Sequence, residues 1–358
     1  MYFGEDRFHG AVIVIECLSM TKRRLNHHQR RRIDAQQSRR GKTASRDAEL
    51  SITGKECHGL VVCHYGQQLD VEASDGDQQG QIVRCFQRAN LPPLVTGDQV
   101  VWQSDGEGGG VILAQRPRHS VMSRPNNRGE LRAIAANIDC VVVVIAPVPE
   151  PFGNLIDRYL VAIEHLDLRP LILLNKSDLL ESSSTSANVS SLLEQYQQIG
   201  YPTQLVSSRR ESDMEALRQR LSEHTVVFVG QSGVGKSSLI NALRGGDSDN
   251  LAEVGDLSVG HEKGTHTTTA TRLYHLPGSG DLIDSPGIRE FGLWHIEPHS
   301  LAHGYVEFRP HIELCRFRDC LHVHEPGCAL LAAVDAGQVS EARLASYHQV
   351  LDSLSEER

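Results

Sequence analysis

Apolar and polar residues follow different patterns in successive parts of the chain, and the clearest early pattern covers residues 57–115. Short apolar runs are separated there by turns that contain glycine and aspartate. The runs lie at 59–63, 69–71, 81–86, 98–102 and 110–113. Five short strands within about 60 residues are typical of a small closed barrel, most commonly an OB-fold. We predict an N-terminal β-barrel over residues 49–116, whose few aromatic residues (Tyr65, Phe86 and Trp102) leave base stacking and docking by shape as alternatives.

Longer apolar runs then alternate with stretches of helical periodicity. Strands are predicted at 138–145, 170–174, 202–206 and 226–229, and helices at 154–165, 192–199, 214–221 and 237–243. This alternation predicts a parallel, doubly wound sheet, which binds ligands at the carboxyl ends of its strands. We expect this α/β domain to cover residues 117–296, with a polar, proline-containing linker over residues 116–137.

The segment before the barrel has almost no large apolar residues. Residues 22–46 carry ten lysines and arginines and a single acid, Asp34, whereas the whole chain has a net charge of −9. Residues 20–48 are therefore predicted to be a disordered arm that binds a polyanion, RNA in particular. Residues 1–19 lack the basic start of a secretory signal and are interpreted as an upstream extension, with Met20 as an alternative start to Met1.

A glycine-rich turn joins the strand at 226–229 to the helix at 237–243. Its spacing, Gly230-x4-Gly235-Lys236-Ser237, is that of a P-loop. Glycines let backbone amides face phosphate oxygens, the lysine reaches the β- and γ-phosphates, and the serine ligates Mg²⁺. The predicted phosphate-binding residues are Gly230, Gln231, Ser232, Gly233, Val234, Gly235, Lys236, Ser237 and Ser238.

A second polar cluster follows the strand at 170–174. Asp178 can accept two hydrogen bonds from the N1–H and the amine of guanine, a pair that adenine does not offer. Asn175 can contact the N7 edge, and the stem of Lys176 can lie over the ring. The alternative is a helix N-cap at Ser177 or Asp178. Beside a P-loop, the pattern predicts a guanine nucleotide as ligand.

These motifs resemble those of GTPases in the reverse order, because the guanine motif precedes the P-loop. Ser207 and Ser208 resemble the fifth GTPase motif, which supports the base. The chain is therefore interpreted as a circularly permuted GTPase.

The switch motifs of GTPases have counterparts downstream of the P-loop. Residues 264–269 resemble switch I, with Thr268 as the expected Mg²⁺ ligand and Thr267 as its nearest competitor. Asp284 and Gly287 match Asp-x-x-Gly, in which the aspartate holds Mg²⁺ through water and the glycine amide meets the γ-phosphate.

The residue after Gly287 is Ile288, which cannot orient water as the glutamine of Ras-like enzymes does. His266 is the predicted catalytic residue in its place, because an imidazole can hydrogen-bond the attacking water. The alternatives are a solvent-facing loop histidine at this position, and a GTP-dependent RNA-binding switch with negligible intrinsic catalysis.

Three of the eight cysteines lie close together near the C-terminus. Cys315, Cys320, His322 and Cys328 supply the ligands of a closed, structural Cys₃His zinc site, with His324 as a rival imidazole. A closing helix is predicted at 336–355, and a mainly α zinc-binding domain over residues 297–358.

The whole set of motifs resembles the ribosome small-subunit-dependent GTPase A family over residues 20–358. The resemblance implies an N-terminal OB-fold barrel, a central α/β circularly permuted P-loop GTPase domain and a C-terminal zinc domain. It further implies GTP or GDP, Mg²⁺ and one Zn²⁺ per chain as ligands. The implied function is late assembly of the bacterial small ribosomal subunit, with rRNA binding and with release or reorientation upon GTP hydrolysis.

The cellular setting is predicted from what the chain lacks. No apolar run approaches the roughly 20 residues that span a bilayer, and we expect no membrane partner. With a P-loop and no export signal, the protein is predicted to be cytoplasmic, where disulfides are rare. We also expect it to be a monomer.

Overall fold

The computed structural model describes residues 55–66, 68–126, 128–182, 186–245, 271–285, 292–293 and 296–356. The chain divides into two compact units, Met1–Ile52 and Thr53–Arg358. The described residues all belong to the second unit. The predicted upstream extension and basic arm within residues 1–48 lie outside them.

The predicted barrel is confirmed. It consists of β1 (Glu56–Tyr65), β2 (Gln68–Ala73), β3 (Ile82–Gln87), β4 (Gln99–Ser104) and β5 (Gly109–Gln115). The sheet closes in the order β1-β2-β3-β5-β4, with β4 returning to β1 and only β3–β5 parallel. Trp102 is buried in the barrel core, whereas Tyr65 and Phe86 are about half exposed. Of the three aromatic residues, Trp102 is therefore excluded from base stacking.

The linker prediction for residues 116–137 is wrong in its centre. Strands β6 (Val121–Pro125) and β7 (Leu131–Ala136) form an antiparallel hairpin there. Met122, Ala135 and Ala136 are completely buried. The hairpin escapes a search for apolar runs because small alanines bury its face while polar residues occupy the exposed one.

The α/β region has the predicted alternation of strands and helices. Its elements are β8 (Cys140–Ile145), α1 (Gly153–His165), β9 (Arg169–Leu174), a 3₁₀ helix (Ser177–Ser182), α2 (Ser186–Ile199), β10 (Thr203–Leu205), α3 (Glu211–Leu221), β11 (Thr225–Val229), α4 (Lys236–Leu243), β12 (Arg272–Leu276) and β13 (Gly280–Asp284). The strand order is β10-β9-β8-β11-β13-β12, in which β12 alone is antiparallel.

Strand β12, which the sequence pattern does not predict, joins the two sheets. It pairs with β13 on one side and with β1 of the barrel on the other, through Cys63 and Arg272. The barrel and the α/β sheet thus form one continuous sheet of eleven strands. Beside the turn of the β12–β13 hairpin, His275 lies 2.6 Å from Asp281 and 2.5 Å from Glu72 of the barrel. The hydrogen bond to Asp281 and then that to Glu72 raise the pKa of His275 to about 9, against the effect of burial.

The C-terminal region packs helices against α1. It contains 3₁₀ turns at Pro298–Gly304 and Val306–Phe308, followed by α5 (Arg309–Ile312), α6 (Ala329–Asp335) and α7 (Glu341–Glu356). The predicted closing helix is confirmed, but it begins at Glu341 because residues 336–340 form a turn in which Gly337 has a φ of 71°. None of the helices that the structure describes combines the length and apolar character needed to span a bilayer.

A buried ion-pair network joins this C-terminal region to α1. Arg343 of α7 contacts Asp157 of α1 and lies 2.5 Å from Glu307. The side chains of Arg343 and Asp157 are 6% and 2% exposed. Tyr196 of α2 donates a hydrogen bond of 2.5 Å to the same Asp157 carboxylate. Burial raises the pKa of Asp157 while the charge of Arg343 opposes it, so the arginine keeps a buried carboxylate satisfied.

We expect Arg343→Met to destabilise the protein by about 3–5 kcal/mol, because it leaves Asp157 and Glu307 without their cation in the interior. Denaturant unfolding measures the change. Arg309→Met is the matched control, since its ion pair with Glu164 spans the same two regions with Arg309 45% exposed. That variant should lose less than about 1 kcal/mol. Equal losses for both variants would contradict the assigned role of the network.

Candidate nucleotide and metal sites

Three strand ends meet at one edge of the α/β sheet. Strands β9, β8, β11 and β13 are parallel neighbours in that order, so residues that follow their carboxyl ends lie on the same side. The predicted guanine motif follows β9, the P-loop follows β11, and Asp284 ends β13. This edge is where ligands bind in doubly wound sheets.

Backbone geometry explains the glycines of the P-loop. Gly230, Gly233 and Gly235 have φ values of 138°, 80° and 93°, which L side chains rarely adopt. A Cβ at Gly230 would also lie 2.2 Å from the carbonyl oxygen of Val144 on β8. A Cβ at Gly235 would lie 2.5 Å from Nδ2 of Asn175. Two of the glycines are therefore required by close contacts as well as by conformation.

Lys236 opens helix α4, with Ser237 and Ser238 next in its first turn. Its ammonium donates hydrogen bonds of 2.7 Å to the carbonyl oxygens of Gly230 and Gln231. The lysine thus spans the loop that Ser232, Gly233 and Val234 complete. A cation and a helix N-terminus at one turn suit an anionic ligand.

The guanine motif is attached to the P-loop through two side chains. Asn175 is buried, and its Nδ2 donates a hydrogen bond of 2.9 Å to the carbonyl oxygen of Val234. The ammonium of Lys176 donates to the carbonyl oxygen of Gly233 at 2.6 Å. In the described structure Oδ1 of Asn175 and Oγ of Ser177 are buried without a hydrogen-bond partner. The two loops that the sequence separates by about fifty residues therefore form one surface.

Asp178 lies at the rim of that surface. Oγ of Ser207 donates a hydrogen bond of 2.7 Å to Oδ1 of Asp178. This bond, with the nearby charges of Arg209 and Arg210, lowers the pKa of Asp178 despite its partial desolvation. The carboxylate is consequently ionised and able to accept hydrogen bonds at neutral pH. A 3₁₀ helix begins at Ser177, so Asp178 also lies in a first helical turn, and its base-binding role stays a prediction.

A cavity of about 150 Å³ opens beside this carboxylate. Its lining contains Asn175, Lys176, Asp178, Leu179, Ser208, Arg209, Gly235 and Ser238. Sequence reasoning missed Arg209, whose Nη1 is 3.7 Å from Oδ2 of Asp178 while its side chain is 83% exposed. An arginine directly after Ser208 was the available signal. The cavity combines both halves of the predicted nucleotide site.

The switch residues are only partly described. Asp284 is the last residue of β13, and Ser285 follows it with its hydroxyl accepting a hydrogen bond of 2.8 Å from Thr271. Residues 246–270 and 286–291 lie outside the described residues. The predictions for His266, Thr267, Thr268, Gly287 and Ile288 therefore remain predictions.

The predicted zinc ligands form one compact group. The ligand atoms of Cys315, Cys320, His322 and Cys328 all lie within 4.8 Å of one another. Sγ of Cys315 is 3.8 Å from Sγ of Cys328, and Nδ1 of His322 is 3.3 Å from the latter. A tetrahedral zinc with bonds of about 2.3 Å to sulfur separates two thiolates by about 3.8 Å. The geometry therefore fits a tetrahedral metal ion.

The loop around the metal group is held by Glu325. Its carboxylate accepts backbone hydrogen bonds from Leu321, Val323 and His324 at 2.8–3.1 Å. These bonds lower the pKa of Glu325 to about 2, although desolvation acts in the opposite direction. His324, the rival imidazole, is exposed and is not part of the group, whereas His322 is buried.

Comparison with known proteins then places the chain. Residues 115–294 match the family of RsgA GTPases. A relative from Pseudomonas putida, "Small ribosomal subunit biogenesis GTPase RsgA", is 51% identical over 345 residues, covering 94% of this chain and 99% of that protein. The chain belongs to the RsgA GTPase family. It is thus a GTP-hydrolysing enzyme, and the predicted family is confirmed.

Solved structures agree with this fold. YjeQ from Thermotoga maritima is 29% identical with a TM-score of 0.69, over 85% of this chain and all of that one. YloQ, a circularly permuted GTPase, is 26% identical with a TM-score of 0.67, over 85% of this chain and 96% of that one. The predicted fold class, an OB-type barrel, a permuted GTPase core and a C-terminal region with a Cys₃His group that could hold a metal ion, is confirmed.

We expect Gly235→Ala to abolish tight nucleotide binding, because its Cβ would push Asn175 away from the P-loop. Gly233→Ala is the matched control. It has a similarly positive φ, but its Cβ would meet nothing closer than 3.6 Å, at Pro149. Fluorescent GDP titration should show a loss at least about tenfold larger for Gly235→Ala than for Gly233→Ala, given the cost of a buried unpaired amide. Equal losses would show that backbone strain alone matters.

Proposed function

We propose that this GTPase acts as a late assembly factor of the small ribosomal subunit, in the cytoplasm and as a monomer. The observation that carries the proposal is the bonding of the guanine motif to the P-loop through Asn175 and Val234, in a chain with a metal-binding C-terminal region. This combination joins a GTP site to modules of a kind that contact RNA. The name of the Pseudomonas putida relative, a small ribosomal subunit biogenesis GTPase, supports the same assignment.

In the proposed complex the base and the phosphates are held by different loops. Asp178 accepts from N1–H and the amine of guanine, with Asn175, Lys176 and Ser177 completing the motif and Ser207 and Ser208 supporting the base. The amides of Gly230–Ser238 and the ammonium of Lys236 surround the phosphates. The ionised state of Asp178 and the cavity beside it support this placement.

Ser237, Thr268 and Asp284 would hold Mg²⁺, with Asp284 acting through water. The metal, when bound, neutralises charge that develops on the β- and γ-phosphate oxygens. His266 is proposed to orient the attacking water, and the amide of Gly287 to meet the γ-phosphate. The parallel pairing of β13 with β11, which brings Asp284 to the P-loop edge, supports the metal assignment.

Hydrolysis with and without purified small subunits tests the function. We expect the subunits to stimulate turnover and His266→Ala to lower it by about a hundredfold or more, with GTP affinity retained. Stimulation without an effect of His266→Ala would leave the ribosomal role and remove the catalytic one. No turnover under either condition would favour the alternative, a GTP-dependent RNA-binding switch with negligible catalysis.

The choice between guanine and xanthine nucleotides tests the role of Asp178, and titrations with GTP and XTP measure it. Asp178→Asn should weaken GTP binding by about tenfold to a hundredfold, because a charged hydrogen bond is lost. Its new amide can donate to the C2 carbonyl of xanthine, so XTP binding should improve in the same variant. Unchanged preference for GTP would contradict the assignment of Asp178.

The metal in the C-terminal group is proposed to be zinc, since three thiolates and an imidazole form a closed, soft ligand set. Elemental analysis should give about one zinc per chain. Cys328→Ser should lose that metal and lower thermal stability, whereas Cys57→Ser, outside the group, should keep both. Full metal content in Cys328→Ser would refute the ligand assignment.

A further inference from the structure

The turn between β3 and β4 of the barrel reaches into the α/β region. Thr96 in this turn is 1% exposed. Its hydroxyl donates a hydrogen bond of 2.9 Å to the carbonyl oxygen of Thr271. Its own carbonyl oxygen accepts from the amide of Ala136 at 3.0 Å. A polar side chain of the barrel is therefore buried against the residue that directly precedes β12.

Thr271 extends this contact to the nucleotide edge. Its hydroxyl donates a hydrogen bond of 2.8 Å to the hydroxyl of Ser285. Ser285 is 5% exposed and directly follows Asp284. Thr96, Thr271 and Ser285 thus form a hydrogen-bonded chain from the barrel to the Asp-x-x-Gly segment.

The turn that carries Thr96 cannot shift easily. A Cβ at Gly97 would lie 2.1 Å from the carbonyl oxygen of Ala136 and 3.1 Å from Cδ1 of Ile283 on β13. Nδ2 of Asn137 donates a hydrogen bond of 2.8 Å to the carbonyl oxygen of Gly97. Close packing of this kind transmits displacements instead of absorbing them. The barrel turn is consequently fixed against the strand that ends in Asp284.

We propose that Thr96 and Thr271 are positioning residues of the GTPase, which fix the Asp284–Ser285 segment at the nucleotide edge. The inference rests on the proposed role of Asp284 in holding Mg²⁺. The barrel is then part of the hydrolytic unit, and a ligand that moves the barrel changes the γ-phosphate site. By thermodynamic reciprocity, the γ-phosphate also changes the affinity of the barrel for that ligand.

A second contact between the barrel and the same hairpin offers a control. Glu72 of β2 contacts His275, which lies opposite Asp281 beside the turn of the β12–β13 hairpin. Arg272, next to Thr271, lies opposite Asp284 at the open end of the hairpin. Glu72→Gln therefore weakens barrel docking without touching the proposed chain.

The test compares Thr96→Val, Thr271→Val and Glu72→Gln in the full-length protein. Titrations with fluorescent GDP and with a non-hydrolysable GTP analogue, over a range of Mg²⁺ concentrations, give the preference for the γ-phosphate. We expect both valine variants to lose about fivefold in affinity for the analogue and in kcat, the effect of one hydrogen bond. GDP affinity and thermal stability should remain near those of wild type, and Glu72→Gln should keep the full preference.

The double variant Thr96→Val with Thr271→Val should lose little more affinity than either single variant. All three variants interrupt the same series of hydrogen bonds, so their effects should not add. Equal losses for GDP and the analogue, or the same loss in Glu72→Gln, would assign Thr96 a purely structural role and overturn the proposal.

Asp284→Asn distinguishes a failure of the proposed metal role of Asp284 from a failure of the present inference. If it leaves Mg²⁺ dependence unchanged, the proposed metal role of Asp284 fails; if it abolishes that dependence while the valine variants are normal, only the present inference fails.

Discussion

The nucleotide site depends on one buried amide. Asn175 follows β9, and its Nδ2 is bonded to the carbonyl oxygen of Val234 in the P-loop after β11. Because a buried donor without a partner is costly, this contact fixes the distance between the proposed base-binding loop and the proposed phosphate-binding loop. Gly235 is glycine for the same reason, since a Cβ there would occupy the position of the amide. Circular permutation changes the order of the two loops along the chain but leaves this contact available.

The second constraint is the pairing of β12 with the barrel. Strand β12, which lies in sequence between the two predicted switch segments, is the edge strand of the α/β sheet and pairs with β1 of the barrel. An exposed strand edge is a liability, and the barrel covers it. The same arrangement brings Thr96 within hydrogen-bonding distance of Thr271. The barrel, which the sequence pattern presents as a separate domain, therefore contacts the surroundings of the predicted nucleotide edge.

The C-terminal region contains two different stabilising features, a Cys₃His group and a buried ion-pair network. Four ligand atoms within 4.8 Å of one another organise the loop around His322, and the network of Arg343, Asp157 and Glu307 fixes the region to α1. The ring of Tyr305 stacks on Phe308 with centroids 4.7 Å apart, and the guanidinium carbon of Arg343 lies 4.6 Å from the centroid of Tyr305. The Cys₃His group and the ion pairs thus lie in a region where α5 and α6 are only four and seven residues long, and only α7 is a long helix.

The sequence by itself determined the permuted order of motifs, the barrel, the parallel sheet and the ligands of the metal group. Those features depend on local spacing and on apolar periodicity, which can be recognised along the sequence without knowledge of the fold. Strand β12, the β6–β7 hairpin, Arg209 beside Asp178 and the chain from Thr96 to Ser285 were decided only by the tertiary structure. Their residues are polar, small or distant in sequence, with 175 positions between Thr96 and Thr271. Such contacts gain their stability from burial and pairing that arise only after the chain has folded.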